Sequence, residues 1–160
     1  MDSMPAVRYP ELVDIKKLQE LMASLSEVIG VANAVIDIDG LVLASAGWQT
    51  ACTDFHRANP RTCCRCVESD TSLVRSVTNG VPFAVYRCLN GLVDTAAPIV
   101  VAGVHVANVF TGQFLTAAPD LEFFRKQAQE FGFDEILYLQ AIAKVPVIPQ
   151  ERVESITRLY

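Results

Sequence analysis

The apolar positions Leu12, Val13, Ile15, Leu18, Leu21, Met22, Leu25, Val28 and Ile29 recur at spacings of three and four. That rhythm predicts one amphipathic helix over 11–29, stopped by Gly30. Two β-branched runs follow, Val31 to Ile38 and Leu41 to Ala46, with Asp39-Gly40 between them. Asp-Gly at that place predicts a hairpin. The segment 48–60 reads as a short helix or loop. Thr62 is the expected cap of a helix over 63–77, ended by Asn79-Gly80. Pro82 to Leu89 then reads as a strand, turned at Asn90-Gly91 into Leu92–Val101, with Val104–Leu115 after Ala102-Gly103. Helices over 121–131 and 134–143 flank Gly132. An extended Val145-Pro-Val-Ile-Pro leads to a last helix opened by Pro149, with Val153, Ile156 and Leu159/Tyr160 on one side.

Tight turns between consecutive strands imply an antiparallel sheet and no βαβ series. The predicted class is α/β in the broad α+β sense: a five-stranded antiparallel sheet flanked by helices, covered on one face and able to close over a cavity on the other. At 160 residues, without repeat or linker, residues 1–160 read as a single domain with a helical lead-in over 11–30. The last helix, 149–160, runs to the final residue without Gly, Asn or Pro to stop it, and its stripe is more than three turns bury with ease. It is therefore expected to continue into an output module or a homodimer.

Hydrophobic residues make up 51% of the chain and mean hydropathy is +0.30, which suits a thick core or an apolar-walled cavity. The net charge of −5 and the lack of a basic stripe argue against direct nucleic-acid binding. No Asp, Glu, Lys or Arg falls between Asp94 and Asp120, a stretch long enough to span a bilayer. Its prolines, glycines, histidine and amides would be costly in lipid, so two buried strands are expected and no membrane insertion. Five cysteines without an export signal predict reduced thiols in the cytoplasm.

Polar and thiol residues concentrate in 52–70 and 86–94. Cys52 and His56 are four residues apart, as are Cys66 and Asp70, so each pair shares a face if helical. Tyr86 and Cys88 point to one side of a strand and Arg87 to the other. A Cys52/His56/Cys66/Cys88 constellation follows. Thiolate and imidazole suit a soft metal, with Cys52, Cys66 and Cys88 as the ligands, although the spacing is not that of a zinc finger or ribbon. The plainer reading is small, buried, apolar thiols. Cys63-Cys64-Arg65-Cys66 holds a Cys-x-x-Cys without the strand before it that thiol redox catalysis requires. No Gly-x-Ser-x-Gly, P-loop, dinucleotide or His-Glu-x-x-His motif is present.

Several blocks resemble the PocR sensory domain: Cys-Thr-Asp-Phe-His-Arg (52–57), Cys-Val-Glu-Ser-Asp (66–70) and Tyr-Arg-Cys-Leu-Asn-Gly-Leu-Val-Asp (86–94). So do Ala-Pro-Ile-Val-Val-Ala-Gly-Val-His-Val (97–106), Phe-Thr-Gly-Gln-Phe (110–114) and Lys-Val-Pro-Val-Ile (144–148), all in that family's order. The resemblance implies a PAS-like fold and a signalling role beside a histidine kinase or transcription regulator. It also implies a small hydrocarbon derivative, such as a short diol, as ligand. Cys52, His56, Cys66, Asp70, Tyr86, Cys88, Asn90, Asp94, His105 and Gln113 are its candidate ligand-binding residues; Phe55, Gly91 and Gly112 belong to the same pattern. Three readings follow: a non-catalytic sensor of a small organic molecule, a sensor holding a metal or metal cofactor through its cysteines, and a thiol-dependent enzyme.

Overall fold

A computed structural model describes residues 8–78 and 82–160. Helix α1 (Tyr9–Leu12) is separate from α2 (Ile15–Ile29), so the single helix expected from 11 is broken. The break is a cap: the Asp14 carboxylate accepts from the Lys16 and Lys17 N–H groups, which fixes a new helix start. Gly30 closes α2 in the left-handed conformation, as the rhythm required.

Strands β1 (Ala32–Asp37) and β2 (Val42–Ala46) form the Asp39-Gly40 hairpin. Residues 51–56 form a π-helical turn, Ala51–His56, which runs on towards α3 (Pro60–Thr78). The cap of α3 is Asn59, whose side-chain oxygen accepts from the Arg61 and Thr62 N–H groups. Thr62 does not cap it; its hydroxyl donates to the His56 carbonyl at 2.7 Å and ties the π turn to the helix. The expected stop at Asn79-Gly80 lies outside the described residues.

Strands β3 (Ala84–Arg87), β4 (Val93–Val101) and β5 (Val104–Phe114) follow, with turns at Asn90-Gly91 and Ala102-Gly103. Among the described residues the strands form one five-stranded sheet in the order β2-β1-β5-β4-β3, every pair antiparallel. The charge-free stretch after Asp94 is mainly the β4–β5 hairpin, and no helix among the described residues is long and apolar enough to cross a membrane. This is the α+β architecture the pattern implied and the PAS-like fold the resemblance implied.

Alternation assigns each strand two faces. Val35, Val109 and Ala107 meet Leu18 and Met22 of α2, while Val31, Val93 and Phe114 meet Val153 and Ile156 of α6 (Gln150–Leu159). Val153 and Ile156 are thus buried in the chain's own core, and of the predicted stripe only Leu159 stays exposed. Ala34, Ala96 and Phe110 face the other way, against Leu73 and Val77 of α3. Helices α4 (Leu121–Phe131) and α5 (Glu135–Ala143) gather around Tyr138 and Phe124 and close one end over the π turn.

Candidate functional site

Two polar regions lie next to each other between the sheet and the helices, and they differ in what their groups are bonded to. The first is closed. His56 is fully buried, with Nε2 at 2.7 Å from the Tyr138 hydroxyl and Nδ1 at 3.9 Å from Cys52 Sγ. Gln127 donates to the Tyr138 hydroxyl at 2.6 Å and to the Asn90 carbonyl at 3.1 Å. Asn90 in turn donates to the Thr62 carbonyl and to Cys66 Sγ, so the β3–β4 turn is stitched to α3. The Cys88 sulfur accepts from the Leu92 N–H. Burial, reinforced by Arg57, lowers the His56 pKa to about 4, which keeps the imidazole neutral near neutrality. Burial pushes the Cys88 thiol up to about 12, and it pushes Cys52 well above the ordinary thiol range.

The shared faces read from sequence are present: Cys52 meets His56, and Arg87 is exposed where Tyr86 and Cys88 are half-buried. Cys52, Cys66 and Cys88 are close enough for a charge on Cys66 or Cys88 to raise Cys52 further. The alternative reading of these cysteines as metal ligands gains no support. Among the described residues no three His, Cys, Asp or Glu side chains are placed to hold a metal ion. The sulfurs of Cys66 and Cys88 instead serve as acceptors for Asn90 and Leu92, and Cys52 turns to His56. His105 lies at the far hairpin, bonded to Asn108 at 2.9 Å.

The second region is open. A cavity of about 420 Å³ runs along β1 from the Asp94 corner of the sheet to the Asp39-Gly40 hairpin, beneath α3. Its apolar walls include Ala34, Ile36, Val42, Val74 and Phe110, and its polar end holds Arg57, Asp70, Asp94 and Gln113. That volume and that mixture fit a small organic ligand. Of the ten candidates, Asp70, Asp94 and Gln113 line this cavity. Cys52, His56, Cys66, Tyr86, Cys88, Asn90 and His105 are not in its wall.

The polar end is built by backbone irregularity. The β4–β5 register slips between Val93 and Asp94, and Gln113 takes a positive φ of 57°, rare for a residue with a Cβ. The slip aims the Gln113 N–H at Asp94 Oδ1, 3.0 Å away. Glycine at 112 leaves room for that carboxylate, since a Cβ there would overlap it. The Gln113 side chain accepts from the Gln49 N–H at 2.6 Å and anchors the segment leading into the π turn. At the end of that turn Arg57 lies over the Trp48 ring, 4.9 Å from its centroid, and donates to Asp70 at 3.1 Å. Burial raises the Asp70 carboxyl while Arg57 pulls it back down; burial alone outweighs all else at Asp94, which rises to about 6.

Arg57 and Trp48 were missed by sequence reasoning. Arg57 stood inside the block 52–57, and an arginine beside buried histidine in a mostly apolar chain was the available signal. Nothing local marked Trp48.

A ligand-sized cavity under one helix of a five-stranded antiparallel sheet is the PAS-like sensor arrangement. The family model for the sensory domain found in PocR matches residues 11–160, and the chain belongs to that family. No curated protein matches it.

Proposed function

We propose that this chain, acting as one sensory unit, binds a small organic molecule in the cavity between β1 and α3 and performs no chemistry on it. The cavity carries the reading: apolar walls hold a short hydrocarbon body, and Asp70, Asp94, Arg57 and Gln113 at one end orient a polar group. A short diol of the kind the family resemblance implied matches that division. The rival thiol chemistry is disfavoured, because burial pushes Cys66 of the Cys-x-x-Cys away from the thiolate form, as it does Cys52 and Cys88, and His56 is held neutral. The bound state would reach an output kinase or regulator through β1 and the helices on its far side. Asn33 on β1 donates both to the Met22 carbonyl of α2 and to the Tyr160 hydroxyl after α6, each at 2.9 Å.

The test is native mass spectrometry of the purified domain, followed by a thermal-shift screen of small alcohols, diols, acids and amines. Saturable stabilisation by at least one class is the expected result. Stabilisation by divalent or soft metal ions alone would remove the proposal in favour of a metal sensor.

A further inference from the structure

The charges around the cavity do not balance. Its cation is Arg57, already spent: it pairs with Asp70 at 3.1 Å and lies over Trp48. The rim carboxylates Asp37 and Asp39 face Arg8, at 3.9 and 3.6 Å, and Asp37 also accepts from the hairpin N–H groups of Asp39 and Leu41. Asp94 is left over. Its Oδ1 accepts from Gln113, its Oδ2 accepts from no described residue, and no described Lys, Arg or His lies within ion-pair distance of it. Asp94 is half-buried, so its carboxylate is only partly hydrated; without a cation that is costly, and a bound positive charge relieves the cost.

We infer that the ligand is a small organic cation, such as an amino alcohol or a methylated amine, with its charged head on Asp94 and its apolar body along Ala34, Ile36 and Phe110. The inference rests on the cavity being the ligand site. The upward shift of the Asp94 carboxyl agrees with it, since that shift is what an ionised form lacking a partner produces. A carboxylate ligand would instead add a third negative charge beside Asp70 and Asp94. A neutral diol would donate to Oδ2 but leave the charge unanswered.

The experiment is calorimetric titration at neutral pH with isopropanolamine, propylene glycol and lactate, which share one carbon skeleton, at matched ionic strength with ammonium chloride as control. Isopropanolamine binds about tenfold more tightly than propylene glycol, the usual size of a charge-assisted gain, and lactate does not compete. Asp94→Asn removes the advantage and keeps propylene glycol binding, because the Gln113 N–H still finds an oxygen. Lactate or propylene glycol binding tightest, an advantage that survives in Asp94→Asn, or no binding of any probe overturns the inference. Ala34→Phe, which fills the cavity, separates the two levels. If the tightest probe is neutral or anionic and Ala34→Phe blocks it, only the charge inference falls. If Ala34→Phe leaves isopropanolamine binding intact, the cavity is not the site and the proposed function falls with it.

Discussion

The two polar regions beside the sheet are drawn from the same segments, His56 next to Arg57, Cys66 near Asp70 and Asn90 near Asp94, yet one holds neutral groups bonded to one another and the other holds charges around a cavity. Around His56 most groups are spent on one another: imidazole on Tyr138, amide on carbonyl, sulfur on N–H; only Asn90 Oδ1, sealed in the core, finds no partner there among the described residues. Around Asp94 a strained strand presents a carboxylate whose second oxygen meets no described partner. A satisfied buried network rigidifies a core. A built but unsatisfied corner opening on a cavity is where a ligand gains energy. An unpartnered atom sealed in the core, such as Asn90 Oδ1, offers a ligand nothing; a charged group that is left over and opens on a cavity does.

The largest effect that separates the two regions is on stability. His56→Ala should cost about 2–4 kcal/mol in urea unfolding, since it opens a hole beside Tyr138 and leaves that hydroxyl with its Gln127 donor but without the imidazole. Ligand affinity of the fraction that stays folded should hardly move. Arg57→Ala reverses the pattern. It leaves Asp70 without its partner in the cavity wall, and affinity for a neutral ligand should fall about tenfold by calorimetry with a stability loss of only about 1 kcal/mol.

Next in size is a pH effect. The Asp94 carboxyl titrates at about 6 in the folded chain, above its ordinary 3.8, so between those values the native state keeps a proton the unfolded chain has lost. Raising pH through that window therefore costs the wild type stability. Asp94→Asn should gain on it by about 1 kcal/mol from pH 4 to pH 7, discounted for the cavity's access to water. Parallel pH profiles for the two proteins would contradict the environment assigned to Asp94. Smallest of all, Cys63→Ser and Cys64→Ser should stay within about 0.5 kcal/mol of wild type, because neither is buried nor in the cavity wall. Cys88→Ala and Tyr86→Ala, whose side chains are half-buried in the cores beside the cavity, should do more.

Much of the fold was legible because it depends on local signals. Asp39-Gly40, Asn90-Gly91 and Gly132 are turns or stops wherever they occur between apolar runs, and helix α4 fell on its predicted bounds. Caps were less legible: Asp14 and Asn59 each begin a helix by bonding N–H groups two and three residues on, and nothing in the apolar rhythm requires them there. The site was legible as a set of segments and not as a set of contacts. Cys52, Cys66 and Cys88 suggested a centre because thiols stand out in a sequence, but their bonds to Asn90, Leu92 and His56 arise only once α3, the π turn and the β3–β4 turn meet. The cavity corner depends on a register slip at Gln113 and on the Asp94 carboxylate taking the place a Cβ at 112 would need, and neither leaves a trace in hydrophobic period.

The measurement that tests the account most directly is a backbone NMR titration of the domain with the tightest small molecule from the screen of alcohols, diols, acids and amines. The account predicts saturable shifts centred on Ala34, Arg57, Asp70, Asp94 and Gln113, with His56, Tyr138 and Asn90 moving little. Shifts centred on Cys52, His56 and Cys88 instead, with the β1 wall unmoved, would contradict it.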